Sequence, residues 1–118
     1  MKTAPEPITI WHNPRCGKSR AALALLRERG VEPQIVEYLK TPPSAAELRA
    51  VLRKLGMKPE QLLRKGEEAY RALAGKELTE AQWLEAMVRD PILIERPIVI
   101  KGERARLGRP PEKVLELL

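Results

Sequence analysis

Residues 8–38 constrain the fold more tightly than any other stretch of the chain. Ile8-Thr9-Ile10-Trp11-His12 is a run of β-branched and aromatic residues that stops at Asn13-Pro14, the pattern of a strand entering a loop. From about Lys18 the small and apolar positions Ala21, Ala22, Leu23, Leu25 and Leu26 carry a helix to Arg29, and Gly30 supplies the left-handed residue that commonly ends one. Residues 34–38, centred on Ile35 and Val36, read as a second strand. Two strands joined through a helix are expected to lie parallel, because a tight hairpin cannot connect them. The chain therefore opens with a βαβ unit.

Thr41-Pro42-Pro43 ends that pattern. Ser44-Ala45-Ala46-Glu47 is a capping box, and Leu48, Val51, Leu52 and Leu55 follow at helical spacing up to Gly56. Leu62, Leu63 and Tyr70 suggest further short helices, and Thr79-Glu80-Ala81-Gln82 forms a second capping box ahead of Trp83, Leu84, Met87 and Val88. Residues 92–94 predict a short strand, residues 98–101 and 105–107 a β-hairpin about Gly102-Glu103, and Pro110-Pro111 the opening of a last short helix. The order βαβ, helical insertion, ββα predicts an α/β protein with a thioredoxin-like mixed sheet, helices on its faces and the reactive group on its first strand-to-helix loop. With 118 residues, no internal repeat and no low-complexity linker, a single thioredoxin-like domain over residues 1–118 is expected, with the helical insertion at about 44–90.

Composition removes several function classes. The chain has one cysteine, Cys16, and one histidine, His12, which excludes an internal disulfide and a zinc site built from Cys and His ligands. No metal is expected. Residues 1–7 hold no apolar segment of signal-peptide type, and no apolar run elsewhere has the length of a bilayer span, so a cytoplasmic protein without a membrane partner is expected. The net charge of +6 admits an anionic partner. Two Trp, two Tyr and no Phe make a poor platform for stacked bases, and no nucleic-acid partner is expected.

Cys16 stands just past the first strand and just ahead of the first helix, where unpaired backbone N–H groups and the positive end of the helix dipole favour a thiolate. Arg15, Lys18, Arg20 and His12 lie within a few residues, and nearby cations lower a thiol pKa below its free value of about 8.5. The same donors suit a tetrahedral oxyanion. A solitary cysteine is commonly an inert, buried small hydrophobe, but Arg15-Cys16-Gly17-Lys18 is a poor core segment. Gly17-Lys18-Ser19 matches the end of a nucleotide-binding phosphate loop, yet His12 occupies the position of that loop's first glycine. A cysteine-phosphatase loop needs an arginine six residues after the cysteine, where Ala22 stands, and Arg20 falls too early. Ser19 takes the second position of a Cys-x-x-Cys pair, so any redox cycle must draw its other thiols from outside the chain.

The segments His12-Asn13-Pro14-Arg15-Cys16-Gly17-Lys18-Ser19-Arg20, Tyr38-Leu39-Lys40-Thr41-Pro42-Pro43, Leu62-Leu63-Arg64-Lys65, Pro91-Ile92-Leu93-Ile94-Glu95-Arg96-Pro97-Ile98-Val99 and Arg109-Pro110 together closely resemble the glutaredoxin-coupled arsenate reductase family, over about residues 8–118. The resemblance implies that Cys16 is the nucleophile and that His12 tunes it. It implies that Arg64, Arg96 and Arg109 line an oxyanion pocket, that Ser19 and Arg20 help shape the loop, and that Pro97 follows a cis peptide bond. Arsenate or a similar oxyanion would be the substrate, glutathione a co-substrate and glutaredoxin a partner, with no bound cofactor. Arginines suit such an anion, because planar forks make multidentate contacts that lysines do not reproduce. Arg96 interrupts the apolar stretch 92–100, where an unpaired cation would be costly.

Two positions depart from the family pattern: Lys18 stands where a small hydroxyl residue is usual, and Gly108 where some members carry a further cysteine. Lys18 keeps a related glutathione-linked thiol reductase of another substrate open as an alternative. A non-enzymatic RNA polymerase-binding regulator of the same superfamily is a second, although such regulators commonly carry a Cys-x-x-Cys switch and lack the arginine set.

Overall fold

The computed structural model describes residues 6–118; of the segment 1–7, where no signal-type apolar run is expected, residues 1–5 lie outside the described residues. The elements run β1 (Ile8–Trp11), α1 (Gly17–Glu28), β2 (Gln34–Val36), α2 (Ala45–Leu55), α3 (Glu68–Arg71), α4 (Glu80–Arg89), β3 (Ile98–Lys101) and β4 (Arg104–Leu107). Segments of 3₁₀ helix occupy Pro59–Leu62, Pro91–Leu93 and Pro111–Leu117. The chain divides into two compact units, residues 6–37 with Arg96–Leu118, and Tyr38–Glu95.

The first unit is a four-stranded mixed sheet in the order β2-β1-β3-β4. β1 runs parallel to β2 and antiparallel to β3, and β3 and β4 form the hairpin. This is the mixed sheet that the element order predicts. In the register, Ile10 lies opposite both Ile35 and Val99. Ile8, Ile10 and Val99 pack into one buried cluster with Ala22, Leu23 and Leu26 of α1 and with Val114 and Leu117 of the last 3₁₀ segment. Burying each large aliphatic side chain contributes about 1.5–3 kcal/mol, so this cluster is what holds α1 to the sheet.

Gly30 ends α1 in the way its position predicts. It adopts φ 77°, its N–H bonds Arg27 C=O at 3.0 Å, and Val31 N–H reaches back to Leu26 C=O at 2.9 Å. These are the two bonds of a Schellman cap, and Val31 completes it by packing against the cluster that contains Leu26. β2 stops at Val36, two residues short of the strand expected over 34–38.

In the second unit both capping boxes form. Ser44 Oγ accepts from Glu47 N–H at 3.1 Å while Ser44 N–H donates to Glu47 Oε1 at 3.1 Å, and Thr79 and Gln82 repeat the exchange at 3.2 and 2.9 Å. Leu48, Val51 and Leu52 are the buried stripe of α2, and Trp83, Leu84, Ala86 and Met87 that of α4. Trp83 also stacks on Tyr70 with ring centroids 6.4 Å apart.

The strand expected over residues 92–94 does not form. Pro91 opens a 3₁₀ turn, Pro91–Leu93, and only Ile94 pairs, in an isolated bridge to Leu63. The proline has no N–H for a ladder and its fixed φ suits the first position of a helical turn. Leu93 and Ile94 are both fully buried, so the apolar run reflects burial on two sides rather than alternation across a sheet. The last segment is likewise 3₁₀ rather than α.

Gly108 sits where a side chain has no room. Its N–H donates to Pro97 C=O at 2.8 Å, and a Cβ there would come within 2.7 Å of Pro97 Cγ and 3.2 Å of Val114 Cγ1. A cysteine at this position would meet the same wall. Gly108→Ala is expected to cost about 1–3 kcal/mol in urea denaturation through overpacking. Gly66→Ala, with open space around the added Cβ, should stay within about 0.5 kcal/mol.

Candidate active site

The loop between β1 and α1 is built on backbone groups that the sheet fixes at one end and the helix at the other. His12 N–H continues the β2 pairing by donating to Val36 C=O at 2.9 Å. Cys16 is the N-cap residue of α1, in extended conformation with φ −95° and ψ 121°. Between them the chain folds tightly: Cys16 N–H donates to Asn13 C=O at 2.9 Å, Arg15 N–H to Asn13 Oδ1 at 3.0 Å, and Asn13 N–H to Ser19 Oγ at 3.0 Å. Arg20 closes the outer side, its Nη1 donating to Pro14 C=O at 3.1 Å.

The Cys16 sulfur is half-buried. Burial is the largest single influence on its acidity and works against the anion. The N–H of Ser19, a hydrogen bond from the Arg96 side chain, the N–H of Lys18 and the charge of Arg96 together outweigh it, and hold the thiol below its ordinary range. The sulfur closes no short cap hydrogen bond of the kind an oxygen makes. A large, soft acceptor is instead faced by the donors of the first helical turn, the arrangement in which thiolates are favoured.

Arg96, only 8% exposed, is the cation that reaches the sulfur. Its own C=O accepts from Arg109 Nη1 at 3.2 Å. The Cys16 sulfur, the Arg96 side chain and the Arg109 guanidinium are thereby joined through successive contacts within one unit. The peptide bond before Pro97 is cis, as the resemblance implies, and so is the one between Arg109 and Pro110.

His12 and Ser19 form a pair of their own. His12 Nδ1 lies 2.6 Å from Ser19 Oγ, and both residues are buried. Burial lowers the His12 pKa from 6.5; Glu37 pulls it back, and the charges of Arg27 and Arg20 add to the lowering. The imidazole is therefore neutral at neutral pH, and its link to the sulfur runs through Ser19. Ser19 itself turns its hydroxyl inward to His12 and Asn13, so what it offers the sulfur is its backbone N–H.

Arg64 belongs to the other compact unit. Its Nε donates to Glu67 Oε1 at 3.1 Å and its Nη1 to Glu95 Oε1 at 3.5 Å, so its charge is balanced locally by two carboxylates. Asn13 is the residue whose importance the sequence understated. An Asn directly before Pro14 marks a turn whose side chain accepts from the N–H two residues on, and that signal was there to find. Among the described residues, no group of three or more His, Cys, Asp or Glu could hold a metal ion, and no helix is long and apolar enough to cross a membrane.

Comparison with known proteins agrees on one family. The ArsC family model matches residues 11–117. The chain is 51% identical over 114 residues to the uncharacterized protein YfgD of Escherichia coli strain K12, covering 94% of this chain and 96% of that one. It is 44% identical over 114 residues to the arsenate reductase of Haemophilus influenzae, covering 94% and 98%. The solved structure of an arsenate reductase from Vibrio cholerae matches with a TM-score of 0.92 at 43% identity, covering 98% of this chain and all of that one.

Two titrations are expected. The pH midpoint of Cys16 alkylation by iodoacetamide should lie below the free-thiol value of about 8.5 and move up in Arg96→Met, which removes both a hydrogen bond and a charge. Stability should follow the same groups, since each folded pKa lies below its unfolded value. The folded chain then holds fewer protons, and stability rises with pH across each window. The Cys16 contribution is complete above about 8.5 and the His12 contribution above about 6.5, each being lost as pH falls through the folded pKa. Urea midpoints of wild type relative to Cys16→Ser between pH 6 and 9, and to His12→Asn between pH 7 and 5, would read the two slopes.

Proposed function

The chain belongs to the ArsC family, and we propose that it reduces arsenate to arsenite at Cys16. The observation that carries this reading is the Cys16 sulfur held at the first turn of α1, faced by two backbone N–H groups and the buried Arg96. Relatives named arsenate reductase at 44% identity over nearly the whole chain support the substrate.

The cycle is the one that the resemblance to glutaredoxin-coupled arsenate reductases implies, and a chain with no second cysteine fits its reliance on outside thiols. The Cys16 sulfur attacks arsenic, one oxygen leaves as water after taking up protons, and an S–As bond forms with arsenic still pentavalent. The sulfur of glutathione then attacks the Cys16 sulfur. The electron pair of the S–As bond stays on arsenic, which departs as arsenite, and Cys16 is left in a mixed disulfide with glutathione. A thiol of glutaredoxin attacks the glutathione sulfur and returns the Cys16 thiolate. Two electrons have passed from two thiols to one arsenic, and neither a metal nor a bound cofactor takes part.

In this scheme Arg96 and the Lys18 and Ser19 N–H groups stabilise the thiolate first and the arsenate oxygens next, since both are anions at the same helix start. Arg109 holds Arg96 by its carbonyl, His12 braces Ser19, and Arg20 braces the loop at Pro14. The resemblance also assigns Arg64 to oxyanion recognition. A cycle that draws on glutathione and glutaredoxin fits a reducing compartment, which supports the cytoplasm as its location.

Purified protein with arsenate, glutathione and glutaredoxin should form arsenite well above the enzyme-free rate, and Cys16→Ser should abolish it. Arsenate should protect Cys16 from alkylation. Absence of both effects would reject arsenate and favour a glutathione-linked reductase of another substrate. Arg64→Ala should raise KM for arsenate about tenfold or more, the loss of a charge-assisted hydrogen bond, while leaving the Cys16 alkylation profile unchanged.

A further inference from the structure

The loop contains more backbone donors than the sulfur receives, and something must divide them. Pro14 has no N–H. Arg15 N–H goes to Asn13 Oδ1, Cys16 N–H to Asn13 C=O, and Arg20 N–H to Cys16 C=O at 3.0 Å. The N–H groups of residues 17–19 at the start of α1 are the ones left over, since the first helical turn has no partners of its own. One residue, Asn13, therefore takes up both amides that precede the helix. Its own N–H reaches Ser19 Oγ, three residues past the cysteine, and so ties the strand end directly to the first turn of α1. Asn13 is 6% exposed and Ser19 fully buried, which removes water as a competing partner for this clasp.

We propose that Asn13 is a positioning residue for the reaction assigned above: it consumes the Arg15 and Cys16 N–H groups and braces Ser19, so that the N–H groups of the first turn of α1 are left facing the Cys16 sulfur. The inference rests on Cys16 being the reacting group but not on arsenate being its target. Without the Oδ1 acceptor, the Arg15 N–H loses its partner, the turn between Asn13 and Cys16 loosens, and the sulfur drifts from donors whose effect falls off within one helical turn. An alternative neutral acceptor at the same position, a serine hydroxyl, can accept from the N–H two residues on and rebuild much of the turn. The same clasp can be cut at its other end by removing Ser19 Oγ.

The test is the pH profile of Cys16 alkylation by iodoacetamide in Asn13→Ala and Asn13→Ser, with folding checked by circular dichroism. Asn13→Ala should alkylate about tenfold more slowly than wild type at pH 6 and reach the wild-type rate at high pH, the signature of a thiolate population shifted by about one pKa unit. Asn13→Ser should recover most of the lost rate. Arsenite formation by Asn13→Ala should fall at neutral pH and return as pH rises, whereas a merely structural defect would lower it at every pH. A folded Asn13→Ala with the wild-type profile, or Asn13→Ala and Asn13→Ser displaced equally, overturns the proposal. Should Asn13→Ala fail to fold, Ser19→Ala must show the same upward displacement, and an unchanged profile there is equally fatal. Because alkylation needs no arsenate, an inactive wild type with a displaced Asn13→Ala profile would sink the substrate assignment and leave this inference standing.

Discussion

The competition at one sulfur atom sets the terms for the rest of the site. Burial alone would keep Cys16 protonated and inert, as it does most solitary cysteines. The opposing forces are mostly directional: hydrogen bonds from two N–H groups of a helix start and from one guanidinium, which adds its charge. Directional forces act only if the atoms bearing them are held in place, so the chemistry depends on how rigidly the β1–α1 loop is mounted.

The mounting comes from both sides of the loop. β1 is an interior strand, paired with β2 on one side and β3 on the other, so its C-terminal end cannot fray outward without breaking two ladders. α1 is anchored by Ala22, Leu23 and Leu26 in the cluster that holds Ile8, Ile10 and Val99. The apolar core thus fixes the distance between the strand end and the helix start, and the Asn13, His12 and Ser19 hydrogen bonds fill that gap with a defined path. Arg96 arrives from the segment just ahead of β3, which is itself paired with β1. The cation and the nucleophile are therefore referenced to the same strand.

What could be read from the sequence was whatever depends on neighbours along the chain. The βαβ unit, the Gly30 cap, both capping boxes and the Gly102-Glu103 hairpin turn are local signals with local causes, and each is present. The cysteine at a helix start between cations was legible for the same reason. The strand expected over 92–94 was not realised because an apolar triplet after Pro91 has the same composition whether it is buried on two sides or alternates across a sheet. The Asn13-Pro14 pair signals the side-chain turn, but the rest of the work of Asn13 is done by its two backbone groups, and only coordinates show that all three bonds are spent on one loop. The inward turn of the Ser19 hydroxyl was equally invisible, since spacing places a residue in a loop without saying which way its oxygen points.

The same balance of forces also serves the later steps of the proposed cycle. Cys16 must attack arsenic, then accept attack by glutathione, and finally leave from a mixed disulfide. A thiolate of depressed pKa is a weaker intrinsic nucleophile, since nucleophilicity falls with basicity, but it is populated at neutral pH and departs faster as a leaving group. With no second cysteine in the chain to resolve the disulfide internally, departure is the step that the protein cannot assist with its own thiols. Stabilising the sulfur anion by fixed N–H groups and Arg96 lowers the barrier to that departure, and it does so with the same donors that promote the first attack. A site tuned only for attack would need a base beside the thiol; one tuned for departure needs an anion hole around it. His12, neutral and engaged by Ser19, together with the donors at the start of α1, fits the second description.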